Sequence, residues 1–178
     1  MLLTELGCDV THGPLTVCKT GTKIMSGDDT GDANSWASNS SIYDGSGALD
    51  SVTITTDDGR TYLTDYDQLS QYDWSEAVSI YDAQGNTESV EIKGDDGRLF
   101  HTFYDVNNAY TWKDTIFGYD AEGRLDYVTT EFDDGTYTLT DYDQDNTSNV
   151  SQAVHHYSAD NQLLTSTYLF DDGSTLVA

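Results

Sequence analysis

This chain of 178 residues carries very little positive charge: seven Lys and Arg stand against 32 Asp and Glu, a formal net charge of −25 with His neutral. That scarcity excludes nucleic acid as a partner, because nothing here neutralises a phosphate backbone. It excludes an anionic membrane surface on the same ground. Cysteine is nearly absent, with only Cys8 and Cys18. Two thiols do not make a disulfide scaffold, so packing must hold the fold. There is one Pro, no apolar run near the roughly 20 residues of a membrane span, and no long stretch of helical period. The first residues, MLLTELGCDVTHGPLTVC, lack both a basic start and an unbroken apolar run, so no secretory signal is expected.

What is abundant is Asp, 26 of them against six Glu. Glu favours helices, whereas Asp competes for backbone hydrogen bonds and belongs in turns and caps. With 15 Gly and 13 Tyr, this composition predicts many short strands joined by tight acidic turns.

A repeat of 38 residues organises the chain. Ile42-Tyr43-Asp44 recurs as Ile80-Tyr81-Asp82, as Gly118-Tyr119-Asp120 and, weakened, as His156-Tyr157-Ser158. Asp57-Asp58-Gly59 recurs at 95–97, 133–135 and 171–173, and residues 41–78 match 117–154 at 19 of 38 positions. Trp36, Trp74 and Trp112 keep the same spacing, with Val150 in the fourth place. Residues 1–40 therefore read as a degenerate leading repeat or anchoring segment holding both Cys. Residues 41–178 read as three full repeats and a partial fourth.

Each repeat reads as three strands, for example Ala77–Asp82, Ser89–Lys93 and Leu99–Asp105, followed by a polar loop carrying the Trp. The Asp-Gly pair is a strong hairpin signal, because tight turns need the positive φ that Gly supplies without strain. The predicted fold is all-β: an antiparallel meander of β-hairpin repeats with about 11–12 short strands, an elongated repeat sheet or solenoid-like array. Alternation puts Val52 with Ile54, Val90 with Ile92, and Val128 with Phe132 on one face, a modest aliphatic core.

The segment Tyr119 to Asp143, YDAEGRLDYVTTEFDDGTYTLTDYD, resembles the YD repeat of the RHS family through Tyr119-Asp120, Gly123-Arg124-Leu125 and Asp134-Gly135. It is more similar still to a longer YDxxGR…DDGR…W variant of surface-type proteins in alphaproteobacteria. The resemblance implies a spiralling β-sheet and transfers no catalytic residue. It covers about residues 30–178, which are too few units to enclose a toxin.

Several residue sets invite a chemical reading. Asp141, Asp143 and Asp145 alternate as calcium-loop carboxylates do, with Gln152 where such a loop wants a bidentate Glu. The set is not kept in the other repeats, so solvated turn Asp is the competing reading, leaving room for weak Ca²⁺ occupancy and no other cofactor. A glycosidase needs two opposed carboxylates, one of them desolvated, and nothing marks such a pair. His155 and His156 are adjacent, so on a strand they face opposite sides. No enzyme is expected.

Tyr43, Tyr81, Tyr119 and Tyr157 sit at one repeat position and predict a ladder stacking between repeats. Trp36, Trp74 and Trp112 would then plug the loop ends; a sugar-stacking platform is the alternative. Cys8 and Cys18 flank a turn-like Thr11-His12-Gly13-Pro14, within disulfide reach if the flanks form a hairpin. Free thiols or a bridge to another chain are the alternatives.

The expected function is structural. A repeat of exported type with an initiator-like Met1 and no export signal points to an accessory virion component of a tailed bacteriophage, a fibre or decoration protein. Its partners would be further copies of itself and other virion proteins. The alternative is an extracellular or cell-surface adhesion protein with glycan binding.

Overall fold

The computed structural model describes residues 23–31 and 34–178. These hold thirteen strands and no helix, so none of them forms a helix long and apolar enough to cross a membrane. Cys8 and Cys18, and the hairpin expected around them, lie outside the described residues.

Two units divide at Asn86 and Thr87. The first contains β1 (Lys23–Asp28), β2 (Trp36–Tyr43), β3 (Leu49–Thr56), β4 (Thr61–Tyr66) and β5 (Trp74–Tyr81). Each pairs antiparallel with its chain neighbour in that unit. The second contains β6 (Thr87–Gly94), β7 (Leu99–Tyr104), β8 (Trp112–Tyr119), β9 (Leu125–Phe132), β10 (Tyr137–Tyr142), β11 (Val150–Tyr157), β12 (Leu163–Phe170) and β13 (Thr175–Val177). These too pair in sequence order. The all-β meander is as expected. The strand beyond the expected number is β1, which lies 38 residues before β4 and occupies the same place in the repeat.

Turn chemistry explains the strand ends. Gly59, Gly97, Gly135 and Gly173 take φ between 81° and 87° in the Asp-Asp-Gly turns, a conformation that costs a residue with a β-carbon. Each donates its amide to the carbonyl three residues back, as Gly97 does to Gly94 at 3.0 Å. The Trp residues, expected inside the loops, instead open β2, β5 and β8. A bulge follows at once in the first and last of these, between Trp36 and Ser38 and between Trp112 and Asp114. The extra residue bends the strand as it enters the sheet.

Three strands per repeat is an odd number, and this has a geometric consequence. Within a unit the next repeat runs in the opposite direction, yet the sheet keeps growing to the same side. The only rotation that does both is a half-turn about the growth axis, and it exchanges the two faces. Registers within the second unit obey this. Val90 lies across from Thr102, then Ile116, then Thr129, whereas Val128 lies across from Phe117 and Thr140. Ile116 and Phe117 are consecutive in β8, so Val90 and Val128 are on opposite faces. In the first unit Val52 and Ile54 do share a face with Val78 and Ile80, across Thr64 and Tyr62.

The expected common aliphatic core is therefore corrected. Both faces of the second unit carry apolar residues, and no apolar side chain among the described residues is buried. The buried polar side chains are the small hydroxyls Ser51, Ser89 and Ser166. Cohesion comes from the backbone ladders, cross-strand neighbours such as Thr115 and Thr130 with hydroxyls 3.3 Å apart, and the turns.

Candidate functional site

Most of the charged groups lie between the strands, where three kinds of turn alternate. Each kind uses an Asp in its own way. In the loop that precedes each Trp position, one Asp clamps two backbone amides with its two oxygens. Asp67 accepts from Gln71 at 3.0 Å and Tyr72 at 2.7 Å, and Asp105 from Ala109 at 3.0 Å and Tyr110 at 2.7 Å. Asp143 does the same with Thr147 at 3.1 Å and Ser148 at 2.7 Å. Asp29 accepts from Asn34 at 2.6 Å in the leading segment. Ser70, Asn108 and Asn146 turn the chain with φ near 50°, which explains why small polar residues stand there.

The Tyr-Asp turn uses its Asp differently. One oxygen of Asp82 accepts the amides of Gln84 and Asn86, and Asp120 and Asp44 repeat the pattern. In the fourth repeat the Ser158 hydroxyl accepts from Gln162 at 3.1 Å. In the Asp-Asp-Gly turn the second Asp accepts the amide two residues on, as Asp134 does from Thr136 at 3.0 Å.

These bonds favour the ionised carboxylates. Asp143 is held below its ordinary pKa by the amides of Ser148 and Thr147. Asp134, Asp58 and Asp172 are lowered first by the hydroxyls of Thr136, Thr56 and Ser174, and Asp82 by the Asn86 side chain. For Asp120, desolvation opposes the shift, but the amide and guanidinium of Arg124 outweigh it.

The three calcium candidates do not form one ligand set, although Asp143 shares a surface depression with each of the other two. Asp143 is the loop clamp, and it also accepts the Ser148 hydroxyl at 2.9 Å. Asp145 pairs with Arg124 at 3.2 Å, and Asp141 faces Tyr127 and Ala153 within the sheet. No group of three His, Cys, Asp or Glu among the described residues could hold a metal ion. Arg124 ties turn to loop: it also binds Asp120 at 2.6 Å and the Gln144 carbonyl at 3.2 Å.

The tyrosine series does not stack on itself. Tyr119 and Tyr157 are three strands apart, about 14 Å, and on opposite faces by the half-turn above. Tyr119 lies across from Leu99 and Leu125. Tyr157 stacks instead on Tyr137, with ring centroids 4.6 Å apart. Tyr43 and Tyr81 are likewise three strands apart in the first unit.

Trp74 and Trp112 each have a stacking partner that the sequence pattern alone did not single out. Trp74 lies parallel to Tyr72 at 5.3 Å, and Trp112 to Tyr110 at 5.1 Å. Both Tyr residues are more than half exposed, at 61% and 62%. Trp36 has Asn34 in the corresponding place. In the fourth repeat Ser148 and Val150 replace the pair, and they line an open depression of about 340 Å³ with Asp141, Asp143, Ala153 and Tyr168. The Tyr-x-Trp spacing at 72–74 and 110–112 was the available signal. His155 and His156 diverge as expected: His155 meets the Ser166 hydroxyl at 2.8 Å, while His156 is exposed.

Compared with known proteins, the chain matches no family model. No curated protein matches its sequence.

Proposed function

We propose that this chain is a non-enzymatic structural repeat protein that associates with further copies of itself, as a fibre or decoration component of a tailed bacteriophage. One observation carries the structural part: no apolar side chain among the described residues is buried, although Val52, Ile54, Val78 and Ile80 line a face of the first unit and Val90 and Val128 take opposite faces of the second. A sheet that covers so little of its own apolar area gains by being covered. The acidic turns work against stray edge pairing. The Asp residues that shape the three turn types are occupied with their own backbone, which supports a building role for them.

Sedimentation equilibrium over a range of salt concentrations tests association. A small oligomer that tightens as salt screens the −25 charge is expected; a monomer throughout overturns it. The virion setting draws on the likeness to YD-type surface repeats. Capsid and tail genes beside this one are expected, and a secretion operon overturns that setting.

A second reading, a surface protein that binds glycans, has its own support in the exposed stacks of Tyr72 on Trp74 and Tyr110 on Trp112. Aromatic faces of this kind pack against sugar rings. A glycan array compared with the Trp74→Ala/Trp112→Ala variant is the test; silence from the unmodified protein removes this reading.

A further inference from the structure

Five Asp-Gly bonds occur among the described residues: Asp44-Gly45, Asp58-Gly59, Asp96-Gly97, Asp134-Gly135 and Asp172-Gly173. The last four share one repeat position, so they serve as controls for one another. A glycine amide meets no side chain as it approaches the preceding carboxyl, which makes Asp-Gly prone to cyclise wherever the fold permits. In all four turns the carboxylate accepts the amide two residues on. They differ in the second restraint.

Asp58 also accepts the Thr56 hydroxyl at 2.6 Å, and Asp134 the Thr136 hydroxyl at 2.7 Å. Ser174 gives Asp172 the same kind of bond. Asp44, in the other turn type, accepts the Ser46 hydroxyl and two amides. Asp96 has the Arg98 guanidinium instead, at 3.2 Å, with both side chains 60% exposed. Water and salt weaken such a pair. The first residue of this turn is also Gly94, where the others have Thr56, Phe132 and Phe170. Glycine adds backbone freedom there, and a β-carbon in its place would sit 2.8 Å from the Asp96 carboxylate.

We infer that Asp96-Gly97 is a site of spontaneous covalent modification, the first of these turns to become isoaspartate. The Gly97 nitrogen attacks Cγ of Asp96 in its acid form. The N–Cγ bond forms and the C–OH bond breaks. The amide proton leaves with the hydroxyl as water, giving a succinimide. Water then adds back at either carbonyl. Opening at the Asp96 backbone carbonyl leaves the chain running through the side chain, with one carbon more in the turn and the mass unchanged. The lengthened turn disturbs the bonds from Gly94 to the Arg98 carbonyl and from Gly97 to the Gly94 carbonyl, 2.8 and 3.0 Å here. The free α-carboxylate is of the class that isoaspartyl methyltransferases recognise.

The test is peptide mapping of the intact protein, aged for weeks in mildly acidic buffer, with electron-transfer fragmentation to separate aspartate from isoaspartate. Asp96 converts several-fold faster than Asp58, Asp134 and Asp172, and the advantage disappears in guanidinium, where the turns are unfolded. Arg98→Ser, which supplies the hydroxyl of the Asp172 turn, lowers the Asp96 rate toward that of Asp172. Equal rates in the folded protein, an Asp96 advantage that persists unfolded, or an Arg98→Ser rate unchanged or raised would each overturn the inference.

Discussion

The ring of Tyr127 lies across the bare backbone of Gly118, its cross-strand neighbour, in the space that a β-carbon on residue 118 would need. The corresponding neighbours in the first unit are Ile42 and Ser51. Large and small have changed places, so the same gap between strands is filled from the other side. Burial, and secondarily the charge of Asp126, raise the Tyr127 hydroxyl above its ordinary pKa.

This reciprocity predicts non-additive stability. Gly118→Ala crowds the ring and destabilises by about 1–3 kcal/mol, the usual cost of overpacking. The double variant Gly118→Ile/Tyr127→Ser recreates the Ile42–Ser51 pair and should lose less than the sum of its two single variants. Urea unfolding of the four proteins closes the cycle; additive losses would show that the pair is not coupled.

The loop clamps make a second prediction. Asp105 uses separate oxygens for the amides of Ala109 and Tyr110. Asn offers one acceptor oxygen, so Asp105→Asn releases one amide, and Asp105→Ala releases both. Hydrogen exchange at Ala109 and Tyr110 should rise several-fold at one site in the first variant and at both in the second. Exchange at Gly123, in a different turn, should be unchanged. A uniform rise would mean general loosening rather than loss of a clamp.

The clamp was partly legible in the sequence, because Asp29, Asp67, Asp105 and Asp143 stand 38 apart. The strand pattern and the Asp-Gly turns were legible for a local reason: a residue with φ near 85°, such as Gly59, reports on its own backbone. The arrangement of faces was not. Alternation within a strand says that Val90 and Ile92 agree, but relating Val90 to Val128 requires counting strands through the bulge between Gly118 and Tyr119. The calcium reading of Asp141, Asp143 and Asp145 drew on spacing alone. Spacing does not say that Asp143 already accepts two amides or that Asp145 meets Arg124.

Those bonds predict the response to calcium. A cation at Asp143 would compete with the Thr147 and Ser148 amides for the carboxylate, and one at Asp145 with the Arg124 guanidinium. The melting temperature in Ca²⁺ should match that in an equal ionic strength of Mg²⁺, both gaining only from screening of the net charge of −25. A shift specific to Ca²⁺, abolished by Asp143→Asn, would establish a site.

The response to acid should have two limbs of opposite sign. Asp65 is raised above its ordinary pKa by burial and then by Asp50, and Asp114 by burial and then by Glu131. Such groups bind protons more readily folded than unfolded, so stability rises as pH falls from neutrality through their folded pKa values. Asp44, Asp58, Asp82, Asp120, Asp134, Asp143 and Asp172 are lowered. Their contribution is complete above the unfolded Asp value of about 3.9 and is lost as pH falls below it. The melting temperature should therefore rise as pH falls from neutrality and drop steeply once pH passes below the unfolded Asp value of about 3.9. Asp65→Asn should flatten the rise on the upper limb and leave the acid limb in place. A melting temperature that declines steadily from pH 7 downward would show that Asp65 and Asp114 are not penalised in the folded sheet.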